Sequence, residues 1–354
     1  MGSRTGCLAV AAVALAATFA AGQKIPTGTL TGHVTDGKLP LPGVTVTVTS
    51  PNLQGARTAS STVNGDYILE LLPPGSYTAK FEIEGFETVD TTVKLSGDLT
   101  SRVDAVMPQA GKLTEQVTVT GRYETISSTA TAATTHEASL VQLLPVSRDA
   151  QTYIYLTPAT VDLGGGAWQV AGGVSTESLY LLNGAPTMEN IYGTFLPLYI
   201  EDAIQEATTS LSSISAEYGH FTGGVVSVLT KSGGNDFHGS ARLHLTNPKW
   251  TAPTPLTVAR TDELGKIWEG TLGGYVLKDR LWFFLGGRTT SQTTSLQTYA
   301  PVSLPYDQTE HQNRYEGKLT LALSPSHRVI GSYLDVRDDI TNFRFWSTYD
   351  LAGI

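Results

Sequence analysis

The chain has 354 residues with 32 acidic and 23 basic side chains, and its net charge of −9 argues against general nucleic-acid binding, which wants a basic face. Its 36 glycines, abundant threonine and valine, and only 3 methionines point to a mainly β chain. After the first 22 positions no run of about 18 apolar residues occurs, which excludes a transmembrane helix but leaves a membrane barrel open, because barrel strands need apolar residues only at alternate positions.

Residues 1–22 read as a secretory signal. Arg4 supplies the positive start, and Leu8 to Ala21 is an apolar, alanine-rich run too short to cross a bilayer. Small residues at Thr18 and Ala20, or at Ala20 and Gly22, place the cut so that Ala21 or Gln23 comes first. Cys7 lies within this segment, so the mature chain needs no disulfide and offers no thiolate chemistry.

Residues 23–110 read as short strands between turns. Val44, Val46 and Val48 alternate with Thr45, Thr47 and Thr49, the period of a half-buried strand. Asn64-Gly65-Asp66 is a tight-turn signal before Tyr67-Ile68-Leu69, and Pro73-Pro74-Gly75 turns the chain into the alternating Tyr77, Ala79, Phe81 and Ile83. About seven strands at this spacing imply a compact β-sandwich. The phrases GTLTGHVTD (28–36), LPGVTVTV (41–48) and NGDYILELLPPGSYTAKFEIEGFE (64–87) resemble the carboxypeptidase regulatory-like domain, an immunoglobulin-like accessory module and not the peptidase. The residues agree, since none of the 7 histidines opens an HExxH or HxxE zinc pattern. Three residues apart in a strand, His33 and Asp36 fall on opposite faces, so His33 is expected as a surface residue without a partner.

Residues 111–137 are expected to be a linker. Leu113 to Arg122 is one extended segment, and Ile126 to Thr135 is almost all Ser, Thr and Ala, too poor in apolar bulk to pack a core. Glu115, Gln116, Val117, Thr118, Val119 and Thr120 resemble the TonB box, the short strand by which TonB-dependent receptors pair with the periplasmic energy-coupling protein. The chemistry is β-augmentation, in which main-chain hydrogen bonds give the grip and side chains matter little. The other reading of Val117 and Val119 is a last sandwich strand or a plain tether.

Residues 138–235 resemble the α+β plug domain of those receptors. Leu143-Leu144-Pro145-Val146-Ser147-Arg148-Asp149 matches its opening, and Tyr155-Leu156-Thr157-Pro158-Ala159 follows. A glycine-rich stretch, from Gly164-Gly165-Gly166 to Gly172-Gly173, leads to Leu179-Tyr180-Leu181-Leu182-Asn183-Gly184. The family usually carries Asp-Gly there; Asn183 keeps the turn, since Asn-Gly turns well, but removes the carboxylate. Gly164 to Gly166 are no phosphate loop, because no Lys-Ser/Thr follows at the required spacing. Glu201 and Glu206, within the family-like run Ile200 to Glu206, are expected as solvated charges on a plug helix or its end and not as a catalytic pair. The junction Ser215 to Ser240, SAEYGHFTGGVVSVLTKSGGNDFHGS, resembles the point where plug hands over to barrel. Its Gly223-Gly224 pair permits close backbone approach before the strand Val225, Val226, Val228, and Lys231-Ser232-Gly233-Gly234 breaks that strand.

Residues 236–354 read as the start of a transmembrane β-barrel. Ala241, Leu243 and Leu245 alternate with Ser240, Arg242 and His244, and Trp268, Leu272 and Val276 with Glu269, Thr271 and Gly273. Tyr315, Leu319, Leu321 and Leu323 alternate with Glu316, Lys318, Thr320 and Ala322, as lipid-facing and lumen-facing sides require. Lys278-Asp279-Arg280 and Ser324 to His327 are short turns, whereas Thr246 to Gly265 and Ser291 to Asn313 are expected as long polar loops, the distribution of periplasmic turns and extracellular loops. Lys278 to Phe284, KDRLWFF, also matches the family, and its aromatics are expected in an interfacial girdle. Only about five strands fit before Ile354, whereas bacterial barrels have about eight or more, so the chain reads as the N-terminal part of a longer protein. The resemblance implies a barrel of roughly 22 strands.

The fold class expected is thus mainly β: an immunoglobulin-like β-sandwich, an α+β plug, then the first strands of a transmembrane β-barrel. The sandwich-plug-barrel order resembles the Oar-like branch of TonB-dependent outer-membrane receptors. That resemblance implies uptake of a scarce extracellular ligand, with sandwich and plug on the periplasmic side. It implies TonB and its inner-membrane energising complex as partners, outer-membrane lipid around the barrel, and no nucleic acid. No catalytic residue, metal site or cofactor is expected. The alternative is a structural or adhesion protein of the same architecture, in which the barrel anchors the sandwich without transport.

Overall fold

The computed structural model describes residues 27–109, 133–144, 150–164, 167–189, 195–250, 252, 262–297, 305–324 and 327–342, apart from positions 54, 98, 213, 215–217 and 220. The expected signal segment, the candidate docking strand at 115–120 and most of the expected plug opening, at 145–149, lie outside the described residues.

The first module is a sandwich of β1 (Gly28–Thr35), β2 (Thr45–Thr49), β3 (Arg57–Ser60), β4 (Asp66–Leu72), β5 (Gly75–Glu82), β6 (Val89–Leu95), β7 (Thr100–Arg102) and β8 (Ala105–Val106). One sheet runs β4-β1-β7, with β8 also on β1, and the other β3-β2-β5-β6. The alternation seen in the sequence sorts the faces: Val44, Val46, Val48, Tyr77, Ala79 and Phe81 meet Leu30, Val34, Tyr67 and Leu72 in a single apolar cluster. Tyr67 and Phe81 touch edge-on with centroids 5.6 Å apart, and the Tyr67 hydroxyl donates to Val103 O at 2.7 Å. His33 is not alone, because Asp66 lies on the neighbouring strand directly opposite it and its Oδ1 is 2.9 Å from His33 Nδ1. Sequence spacing shows only partners on the same strand. Residues 25–110 produced alone should unfold cooperatively, and Phe81→Ala should lower their stability by about 3–5 kcal/mol, read from the urea midpoint.

The second module carries β9 (Ala133–Glu137), α1 (Ala138–Leu143), α2 (Ala150–Tyr155), the hairpin β10 (Thr160–Gly164) and β11 (Ala167–Val170), then β12 (Leu179–Leu182), β13 (Ala185–Pro186), β14 (Ile204–Ser210) and β15 (Val225–Thr230). Its sheet runs β13-β12-β15-β14-β9, with β12 and β15 parallel. Every residue of β15 is buried, which suits its central place and its β-branched run. Around it Tyr180, Phe195 and Tyr199 stack at 5.4 and 5.5 Å, and burial pushes the Tyr180 hydroxyl up to about 12. Strand β9 falls inside the segment expected to be a linker. It needs no apolar bulk, because it is held by main-chain pairing to β14 and by a Thr135–Thr208 hydroxyl contact of 2.9 Å.

The third module is an antiparallel meander of β16 (His238–Thr246), β17 (Gly265–Leu277), β18 (Leu281–Gln297), β19 (Pro305–Ser324) and β20 (His327–Thr341). It is polar inside and apolar outside. Glu269, Thr271, Arg314, Glu316, Lys318 and Thr320 are buried, while Leu243, Trp268, Leu272, Tyr315, Leu319 and Leu323 are exposed. That inversion is the signature of strands whose outer face meets lipid.

Two expectations change. Ser291 to Asn313 is not a long loop: β18 has 17 residues and β19 has 20, and they stay paired as far as Gln297 and Pro305. Threonine, serine and glutamine tolerate strand pairing, so polarity alone misplaced the strand ends. Nor do all the aromatics of KDRLWFF face outward, since Trp282 and Phe284 are fully buried and the Trp282 Nε1–H donates to Asn235 Oδ1 at 2.7 Å. They share the inner face with Arg288 and Thr290, two and three pleats on. Phe283 lies on the other face, with its ring near Phe237.

Candidate functional site

The inner faces of the meander strands close on one turn of the plug, the 3-10 segment Glu201–Ala203 at the start of β14. In the strand register Arg242 pairs with Glu269, Glu269 with Arg288, and Arg288 with Arg314. One row across four strands therefore carries three arginines and one glutamate, leaving two positive charges. The plug brings two carboxylates to it.

Glu201 Oε1 accepts from Arg288 Nη1 at 2.6 Å and lies 3.7 Å from Arg314 Nη1. Asp202 pairs with Arg242, and its backbone N–H donates to the Glu269 carboxylate. Arg314 also donates to Tyr199 O at 2.8 Å and lies over the Tyr199 ring, 5.8 Å from its centroid. Between these contacts Ile200 and Ala203 pack on Phe284. Gly286 eases the approach, since a Cβ there would come 3.1 Å from Ile200 Cδ1. Lys231, just after β15, donates to Asp202 O at 2.8 Å, and burial lowers its ammonium below the usual lysine range.

A second polar node sits at the β12–β13 turn. Asn183 and Gly184 have φ of 51° and 84°, the left-handed pair that an Asn-Gly hairpin turn needs. Asn183 Nδ2 donates to Thr230 Oγ1 at 2.9 Å, and its Oδ1 accepts from the Thr230 N–H at 3.0 Å. Lys318 reaches in from β19 and donates to Thr230 Oγ1 at 2.7 Å, Thr230 O at 3.0 Å and Lys231 O at 3.1 Å. The Gly223-Gly224 approach holds as well: a Cβ on Gly224 would come 2.4 Å from Val170 Cγ1.

The structure corrects the reading of Glu201 and Glu206. Neither is solvated, and neither is on an α-helix: Glu201 is largely buried between arginines, and Glu206 is 4% exposed and accepts from the Gly97 N–H of the sandwich at 2.9 Å. Their partners lie 87 and 109 residues away in sequence, beyond any local pattern. The usable signal was the set of charges at inner positions of the barrel alternation, which demand counter-charges from whatever fills the lumen. Among the described residues no group of three or more His, Cys, Asp or Glu side chains is arranged to hold a metal.

Residues 29–108 match the carboxypeptidase regulatory-like domain, and residues 229–312 match an outer membrane β-barrel domain. The TonB-dependent transporter Oar of Myxococcus xanthus is 31% identical over 281 residues, covering 73% of this chain and 26% of that protein. The chain thus spans about a quarter of the length of that relative. Among solved structures, the siderophore receptor PirA from Acinetobacter baumannii is 16% identical with a TM-score of 0.46, over 59% of this chain and 32% of that one. The outer membrane transporter YddB from Escherichia coli is 16% identical with a TM-score of 0.43, over 58% and 33%. On the Oar match, the two domain matches and a five-stranded sheet turned polar-side-in, this chain belongs to the Oar-like TonB-dependent receptors of the outer membrane.

Proposed function

We propose that the protein takes up a scarce extracellular ligand, driven by TonB and the inner-membrane complex that energises it, with the sandwich and plug on the periplasmic side. The observation that carries this reading is the charge row: two plug carboxylates neutralise three arginines and a glutamate spread over four barrel strands. A stopper held by ion pairs and hydrogen bonds can be released when water replaces its partners, because such contacts add little net stability against the hydrated state. A continuous apolar core would resist that exchange. The docking strand in this reading is Glu115 to Thr120, whose extended pattern and position between two modules suit β-augmentation.

The test is capture of the C-terminal domain of TonB by the intact protein. Val117→Pro and Val119→Pro each delete a ladder donor and should weaken capture about tenfold or more, while Val117→Thr should be mild. Equal capture by all variants would move the docking strand elsewhere. No capture by the wild type would sink energised transport and leave the anchoring or adhesive role.

A further inference from the structure

In the plug sheet Glu206 of β14 and Glu137 of β9 are direct register partners. Their side chains leave the same face of the sheet, and like charges in that position destabilise a strand pair. The sandwich answers both. Lys94 Nζ lies 2.6 Å from Glu137 Oε2, and the Gly97 N–H donates to Glu206 Oε1 at 2.9 Å. One short stretch at the end of β6 thus supplies a cation to one carboxylate and a hydrogen-bond donor to the other. Nearby, Gln205 Nε2 donates to Pro74 O at 2.5 Å, so the sandwich touches the plug once more beside Glu206.

Strand β9 is the outermost strand of the plug sheet, and the chain enters it from the segment that follows the sandwich. We propose that the sandwich is a clasp on the plug: docked, it cancels the opposition of Glu137 and Glu206 and holds β9 on β14; withdrawn, it leaves two facing carboxylates that loosen β9. The seat is built to part. The sandwich's apolar cluster includes no plug residue among those described, and a cavity of about 260 Å³ separates Pro73 and Pro74 from Ser232 of the plug and from Lys318 and Ile330 of the barrel. Its consequence for uptake rests on the reading proposed above, since a pull through residues 110–132 would reach β9 first.

The experiment is amide hydrogen exchange on the intact protein in detergent, without TonB. Lys94→Glu gathers a third carboxylate at the clasp and should speed exchange of the β9 amides about tenfold, with β15 and the sandwich strands β2 and β5 unchanged. Lys94→Glu with Glu137→Lys rebuilds the ion pair in reverse and should restore protection. Glu206→Gln keeps an acceptor for the Gly97 N–H and removes the facing charge, so it should suppress the effect of Lys94→Glu. Unchanged β9 exchange in Lys94→Glu, or no rescue by either second substitution, overturns the clasp. Because TonB is not involved, faster β9 exchange together with failed TonB capture supports the clasp and sinks only the energised-transport reading.

Discussion

Glu201→Ala is expected to unseat the plug from the barrel wall while leaving the meander intact. Glu201 is the carboxylate that Arg288 holds at 2.6 Å and Arg314 approaches at 3.7 Å, and those two arginines face each other across β18 and β19. Without it, two guanidiniums remain opposed in a largely buried site. Removing one partner of a buried pair typically costs about 3–5 kcal/mol, because the charge left behind has no compensation. Glu201→Gln keeps a hydrogen-bond acceptor and should cost less. The measurement is protease sensitivity of the plug in detergent-purified protein, with exchange of the β19 amides as the control. A double-mutant cycle with Arg288→Ala should show coupling of about 1–3 kcal/mol. Plug cleavage no faster in Glu201→Ala than in the wild type would mean that the charge row does not seat the plug.

What the sequence made legible here is what local periodicity encodes. Val44, Val46 and Val48 turned inward in the sandwich, and Leu319 and Leu321 turned outward in the barrel, because a strand sends alternate side chains to opposite faces. The turns at Asn64-Gly65, Asn183-Gly184 and Lys278 to Arg280 were equally readable, each marked by residues that tolerate a left-handed backbone; Gly65 and Asp279 have φ of 81° and 63°. What was not legible depends on who lies across the gap. Glu206 looks like a surface acid until Gly97 is brought to it by another module. His33 looks solitary until β4 sets Asp66 beside it. Ala133 to Glu137 looks like a tether until β14 offers an unpaired edge. In each case the missing information was a register or a docking geometry, and neither leaves a mark on the residue's own neighbours in sequence.

Lys318→Met should be as damaging as Glu201→Ala, for the opposite reason. Lys318 is 4% exposed, and its ammonium serves Thr230 Oγ1, Thr230 O and Lys231 O, with Asn183 Oδ1 at 3.3 Å and Glu316 Oε1 at 3.9 Å. Methionine keeps the length and apolar stem but leaves two main-chain carbonyls and the Glu316 carboxylate without their cation, a loss of about 3–5 kcal/mol. The same node explains why an amide suits position 183. Glu316 already balances Lys318, and its Oε1 accepts from the Thr230 hydroxyl at 2.5 Å. A carboxylate at 183 would add an unbalanced negative charge and lose the Nδ2–H that donates to that hydroxyl. Asn183→Asp alone should therefore loosen the node by about 1–2 kcal/mol. Adding Glu316→Gln to it returns the charge balance and should recover most of the loss. Exchange of the Thr230 and Lys231 amides reads all three variants. If Asn183→Asp protects those amides better than the wild type while Glu316 is intact, Lys318 is not already balanced and this account of Asn183 is wrong.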